Sequence, residues 1–237
     1  MPQPLYDMVE QALAARITDQ MHPGDRLPTE QQLSDQFEVS RITVRRAMAN
    51  LSARGLVRVV QGKGAFAAQP AIRQPLVALT GFVEDMTAIG LDATAELVSF
   101  TEIAAPRHVA DALALPPGAA VVRIERTRMA QRRPVSFDIT YLPAELGRPL
   151  QGDDLTHEPI FALLEQRYGV PLRHADYELR ATAADAEVAA ALDCAPGAPL
   201  FHITRTSYTD DGRPVDYELL HYRGDAVTFT TRLDRPA

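Results

Sequence analysis

The sequence is poor in the residues that build disulfides and metal centres. It has one cysteine, Cys194, and no tryptophan in 237 residues. A single thiol closes no intrachain disulfide and cannot by itself make a thiolate metal site. The six histidines, His22, His108, His157, His174, His202 and His221, show no metal-ligand spacing. A nucleophile elbow, a phosphate loop and a zinc motif are also missing. No run of about 18 apolar residues is present, which argues against a transmembrane helix. The opening Met1-Pro2-Gln3-Pro4-Leu5-Tyr6-Asp7 lacks the basic and apolar regions of a signal peptide. The expectation is a cytoplasmic protein without metal or cofactor. With 46% hydrophobic and 23% charged residues it has the balance of a soluble chain long enough for two domains.

Lysine is almost absent, Lys63 being the only one, and acids outnumber bases to give a net charge of −7. The charge is unevenly spread. Residues 1–70 total +1 and the remainder −8, and between 40 and 63 stand Arg41, Arg45, Arg46, Arg54, Arg58 and Lys63 with no acid among them. A local basic face on an acidic protein is the footprint of a DNA reader, because phosphate attraction is local at physiological salt. A solvated charged helix is the plainer reading of the same charges.

The order of elements supports the first reading. Leu5, Val9, Ala12, Leu13, Arg16 and Ile17 predict a helix from about 4 to 20, broken at His22-Pro23-Gly24-Asp25. Thr29 and Gln32 have capping-box spacing before a short helix carrying Leu33 and Phe37. Ser40 caps a third helix with Val44, Ala47, Met48 and Leu51 on one face, and Gly55 stops it. Ile42 is expected among the core contacts of that helix. Leu56–Val60, a Gln61-Gly62-Lys63-Gly64 turn and Ala65-Phe66-Ala67 form a hairpin. This is a winged helix-turn-helix. Its second motif helix enters the major groove with Ser40, Arg41, Thr43 and Arg45 at the DNA. Arg41 and Arg45 could each fork to guanine or hold phosphate. Lys63, between Gly62 and Gly64, is a mobile charge at the wing tip, where glycine lets the backbone approach closely.

Residues 68–76, with Pro70 and Pro75, read as a linker. Beyond it strands are expected at 94–101, 120–129, 135–142, 174–182, 199–208 and 214–222, and helices at 82–89, 106–114, 158–168 and 183–192. A diverged repeat runs through this half. His108–Leu113 matches Glu187–Leu192, Pro117-Gly118 matches Pro196-Gly197, Ile124-Glu125-Arg126 matches Ile203-Thr204-Arg205, and Arg133-Pro134-Val135 matches Arg213-Pro214-Val215. Two copies are too few for a solenoid and suit one antiparallel sheet flanked by helices. A cleft between the halves is a natural ligand site. Arg126 and Arg128 share a strand face, suited to an anion, and Asp138 could face them; an ordinary cross-strand salt bridge is the alternative.

Three stretches resemble the GntR superfamily of bacterial regulators: Pro23–Glu30, Val39–Ala47 and Gly55–Phe66. The resemblance covers 4–67 and implies that Glu30, Ser40, Arg41, Thr43, Arg45 and Gly62 lie at the DNA interface; the neighbouring Arg46, Lys63 and Gly64 join that candidate set. It also implies homodimers on near-palindromic operators. From about 77 to 232 the chain resembles the HutC-type subgroup, whose C-terminal domain is called UTRA. The matching residues are Gly81–Met86, Arg126–Arg128, Pro134–Asp138 and Gly212–Asp216 with Tyr222–Asp225. The implied fold is an antiparallel-sheet α+β domain similar to chorismate pyruvate-lyase, and the implied ligand is a small metabolite that changes DNA affinity. Phe82, Arg126, Arg128, Asp138, Phe161, Asp216 and Arg223 are the resulting candidates for holding it. Val83, Pro159 and Phe161 stand where members sensing phosphorylated amino sugars have hydroxyls, so a carboxylate or other small anionic or polar ligand is expected.

The expected architecture is therefore α+β: a winged helix-turn-helix over 1–67, a linker over 68–76 and an effector-binding and dimerisation domain over 77–237. The expected function is a DNA-binding regulator, by default a repressor. A chorismate-lyase-like enzyme and a ligand-binding module without DNA binding are the alternatives, the first resting on fold alone.

Overall fold

The computed structural model describes residues 4–68, 71–76, 79–233 and 235. The chain divides into two compact units, 1–71 and 72–237.

In the first unit α1 (Leu5–Gln20), α2 (Glu30–Phe37) and α3 (Arg41–Ala53) precede the hairpin of β1 (Val57–Val60) and β2 (Gly64–Ala67). The ends of these helices are fixed by local chemistry. Thr29 Oγ1 accepts from Gln32 N and Gln32 Oε1 accepts from Thr29 N, which is the expected capping box. Ser40 Oγ accepts from Thr43 N at 3.2 Å and so caps α3. At the far end Gly55, with φ 73°, donates to Ser52 O while Leu56 N donates to Leu51 O at 2.9 Å. These two bonds make a Schellman stop, and it depends on a residue that tolerates positive φ. Val9, Leu13 and Ile17 of α1 meet Leu33 of α2 and Val44, Ala47, Met48 and Leu51 of α3 in one buried cluster. Each of these Val, Leu, Ile and Met side chains contributes about 1.5–3 kcal/mol by leaving water. Ile42 departs from expectation. It is 80% exposed, because it stands two residues before Val44 and so on the opposite side of the helix.

The second unit is a six-stranded antiparallel sheet in the order β4-β5-β6-β9-β8-β7. Its strands are β4 (Ala93–Ala104), β5 (Ala120–Ala130), β6 (Arg133–Pro143), β7 (His174–Ala183), β8 (Pro199–Tyr208) and β9 (Pro214–Arg223). Short helices α5 (Arg107–Ala112) and α8 (Ala186–Ala191) follow β4 and β7. The repeat seen in the sequence is thus β-α-β-β in each half. The halves meet where β6 pairs with β9, Asp138 opposite Leu220 and Thr140 opposite Glu218. On one sheet face α5 and α8 cover Val121, Tyr141, Phe137 and Leu200. Near the other lie α4 (Phe82–Ala88), α6 (Ala144–Gly147), a 3-10 turn (Arg148–Gly152), and α7 (Ile160–Ala162), which runs into a π turn (Leu163–Arg167).

Two strands were not expected. β3 (Ile72–Pro75) pairs in parallel with β10 (Val227–Thr230), Ile72 opposite Val227 and Pro75 opposite Thr230. Residues 72–75 therefore belong to the second unit rather than to the linker predicted over 68–76. Pro75 is tolerated because it ends the strand. Gln69, Pro70, Val77 and Ala78 of the linker and its border lie outside the described residues.

Candidate functional site

The first candidate surface is the outer face of α3 with the wing. Ser40 sits exposed at the N-cap, and its hydroxyl lies 2.9 Å from Thr43 Oγ1. Arg45 forks onto Glu30, with Nη2 3.0 Å from Oε2 and Nε 3.3 Å from Oε1. The carboxylate holds the guanidinium above its usual pKa. Arg41 donates to Gln31 Oε1, and Gln31 Nε2 in turn donates to Asp35 Oδ1 at 2.6 Å. Arg46 stacks on Tyr6, its guanidinium carbon 3.9 Å from the ring centroid. All three arginines are exposed but steered, and each retains donors for a ligand. At the wing, Gly62 (φ 74°) and Gly64 (φ 117°) flank exposed Lys63, whose N–H closes the turn onto Val60 O at 3.0 Å. Arg26 was missed by sequence reasoning, since it precedes the basic stretch. It bridges to Phe66 of β2, and a Cβ at Gly64 would stand 3.3 Å from its Nε. That adds a second cation beside the wing turn.

The second candidate is a hollow on the sheet face opposite α5 and α8. Both halves of the repeat line it: Arg126, Arg128 and Asp138 from one, and Tyr177, Ile203, Arg205, Glu218, Leu220 and Tyr222 from the other. Gln74, Pro75 and Leu76 at β3, Phe82 and Asp85 of α4, and Pro159, Ile160 and Phe161 complete the wall. The hollow measures about 640 Å³ with its mouth, but only about 40 Å³ admits the centre of a water molecule.

Its charges are mostly matched. Arg128 Nε donates to Asp138 Oδ2 at 2.8 Å, and Ser136 Oγ donates to Asp138 Oδ1 at 2.8 Å. The cross-strand bridge and the pocket wall are thus the same pair. Arg205 donates to Glu218, and its guanidinium lies 4.3 Å over the Phe161 ring. Burial alone would lower the Arg205 pKa, but Glu218, Tyr177 and Asp216 raise it above the ordinary value. Asp85 accepts from Thr80 Oγ1 at 2.5 Å and from Gln74 Nε2 at 2.7 Å, yet burial keeps its pKa raised. Arg126 differs. It is 1% exposed, and its Nε and Nη1 meet no acceptor among the described residues. Burial, with Arg128 beside it, pushes its pKa down to about 9, so it is still charged at neutral pH.

Two predicted residues lie elsewhere. Asp216 is fully buried behind the wall, where Oδ1 accepts from Ser207 N at 3.2 Å. Burial and Glu218 raise its pKa to about 6. Arg223 forks onto Asp225 and donates to Leu192 O and Asp193 O, tying down the end of α8. It follows Tyr222, a residue of the wall, so strand alternation turns it to the opposite sheet face, where α8 lies. Val83 packs in the apolar cluster with Phe82 and Met86 and is not part of the wall, whereas Pro159 and Phe161 are. Among the wall residues not anticipated from the sequence, Arg205 and Glu218 are the repeat mates of Arg126 and Asp138. The repeat carried the signal, since 138 and 218 differ by the same offset as Arg133 and Arg213.

A winged helix-turn-helix joined to a second domain with a charged hollow defines the class: a DNA-binding regulatory protein. Comparison with known proteins gives the family. The model for bacterial regulatory proteins of the gntR family matches residues 5–67, and that for the UTRA domain matches 88–228. The chain is 32% identical over 235 residues to the HTH-type transcriptional repressor NagR of Bacillus subtilis, covering 99% of this chain and 96% of that protein. It is 33% identical over 230 residues to the HTH-type transcriptional repressor PhnF of Mycolicibacterium smegmatis, covering 97% and 93%. The crystal structure of PhnF from Mycobacterium smegmatis superposes with TM-score 0.69 at 31% identity, covering 96% of this chain and 100% of that one. This chain belongs to the gntR family of bacterial regulatory proteins, in the subgroup whose C-terminal domain is a UTRA domain. No helix among the described residues is long and apolar enough to cross a membrane.

Proposed function

We propose that the protein is a homodimeric, non-enzymatic transcriptional repressor whose affinity for operator DNA is set by a small anionic metabolite held in the hollow of the second unit. The observation that carries the ligand reading is Arg126. A buried guanidinium with two unmade N–H bonds is costly to keep unless something completes it. Every other guanidinium of the wall already faces a carboxylate, so a carboxylate or similar anion on the ligand is the missing partner. Pro159 and Phe161 offer no hydroxyl, and Thr80 spends its own on Asp85. These features favour a carboxylate over a sugar phosphate. The repressor sign comes from the names of the relatives, NagR and PhnF among them.

DNA contact is assigned to Glu30, Ser40, Arg41, Thr43, Arg45, Arg46 and the Gly62-Lys63-Gly64 turn. Arg41 and Arg45 are the candidates for base edges and Lys63 for phosphate. Coupling follows from chain order. Gln74, Pro75 and Leu76 form part of the hollow's wall, and β3 begins five residues after the wing strand β2 ends. A ligand that fills the hollow contacts these residues and shifts them. A wall element continuous with the DNA-binding unit carries that shift to it. The test is a thermal-shift screen of small carboxylates and sugar phosphates on the full-length protein. A carboxylate that raises the melting temperature of wild type but not of Arg126→Met is expected. A sugar phosphate as the tightest ligand, or an equal response of both proteins, overturns the pocket chemistry.

A further inference from the structure

At 80%, Ile42 is the most exposed large apolar side chain among the described residues of the N-terminal unit. A lone exposed isoleucine is ordinary on a protein surface and says nothing by itself. Its place is what matters. Val44, Ala47, Met48 and Leu51 turn inward, so Ile42 occupies the outermost line of α3, with Arg45, Arg46 and the exposed Ala49 at i+3, i+4 and i+7. It sits in the first turn, where the second helix of this motif meets base edges. The cations around it are held by neighbours, Arg45 by Glu30, Arg46 by Tyr6 and Arg41 by Gln31. An apolar tip therefore projects between steered charges. Among the described residues nothing in its own unit covers it, and a β-branched residue there gains nothing in helix propensity over glutamine or lysine.

The major groove presents one apolar group, the C5-methyl of thymine. We infer that Ile42 reads a thymine methyl, so that this chain selects a thymine next to the base or phosphate that Arg45 contacts. The inference rests on the proposed docking of α3 in the major groove.

The test uses the full-length protein and duplexes enriched by it from a random-sequence pool. Each thymine is replaced in turn by deoxyuridine, which removes the methyl and keeps the pairing and hydrogen-bond pattern. Losing one buried methyl weakens binding about fourfold, the ratio that ~0.8 kcal/mol gives. Wild type is expected to lose about that much at one thymine position of each half-site, and Ile42→Ala to bind the thymine and uracil duplexes alike. Ile42 is exposed, so its truncation leaves the fold intact. Wild type indifferent to every uracil, or Ile42→Ala still discriminating at the same position, overturns the inference. Arg45→Ala separates the two levels. If it weakens binding tenfold or more while the uracil scan is silent, docking stands and the Ile42 assignment falls. If it binds like wild type, the docking itself falls and takes the Ile42 assignment with it.

Discussion

Replacing Arg126 with methionine is expected to make the ligand-free protein more stable. The side chain is fully buried, its Nε and Nη1 find no acceptor among the described residues, and its environment pushes its pKa down to about 9. Each unmade bond on a buried donor costs roughly 1–3 kcal/mol. Methionine fills much of the same volume with an adaptable apolar chain. The loss of weak attraction to Asp138 and Glu218 offsets part of the gain, since each of these already has its own arginine. A net stabilisation of about 1–3 kcal/mol follows, which for a unit of this size raises the melting temperature by about 2–12 °C. Arg128→Met is the control. It strands the buried Asp138, which pairs with Arg128 at 2.8 Å, and is expected to cost about 3–5 kcal/mol. Thermal unfolding of the full-length variants without added ligand gives the comparison. If Arg126→Met melts below wild type by several degrees, Arg126 is holding the sheet together. The argument that its unmade bonds await a ligand would then be wrong.

Four other outcomes are expected. Arg41→Ala or Arg45→Ala weakens binding to selected DNA by about 1–3 kcal/mol where the side chain reads a base. Lys63→Ala instead lowers affinity for all sequences and reduces the salt slope by about one, so titrations at two salt concentrations distinguish the roles and an unchanged slope would remove Lys63 from the phosphates. Sedimentation of the full-length protein at micromolar concentration is expected to show a dimer, against a clean monomer if the dimer reading is wrong. Burial, with His221 and Arg180 alongside, holds the His202 pKa down to about 4. A histidine depressed in the folded state contributes stability above its unfolded value of about 6.5, lost as pH falls toward 4. Asp216, raised to about 6, has the opposite slope, so the comparison must be by difference. Wild type is expected to lose stability relative to His202→Gln between pH 6.5 and 4, and parallel melting curves would contradict this.

The N-terminal unit was legible because its signals are local. The Thr29 capping box, the Ser40 cap and the Gly55 stop each involve residues within a few positions of one another. Ile42 departs from the expected core position because its direction is set by its distance from Val44 rather than by its polarity. In the second unit the alternation and the repeat gave the sheet. The boundaries near 130 were blurred because the β5–β6 turn uses Gln131 and Arg132 at φ 49° and 63°, with no glycine or asparagine to mark it. β3 and β10 were not readable at all. They are four residues each and pair in parallel across more than 150 positions, and one contains a proline. Of the hollow, Phe82, Arg126, Arg128, Asp138 and Phe161 were found, and Arg205 and Glu218 were one step away in the repeat. Gln74, Asp85 and Tyr177 reach it only through tertiary packing, for which the sequence offers no spacing rule.

The central claim is that one ligand, paired with Arg126, sets the affinity of a DNA-binding face in the other unit. The most direct measurement is the affinity of the full-length protein for its selected duplex with and without a saturating concentration of the carboxylate that stabilises it most. A coupling of roughly 1–3 kcal/mol predicts a change of about 5–150-fold for wild type and none for Arg126→Met. A carboxylate that binds tightly and leaves wild-type DNA affinity unchanged would contradict the account.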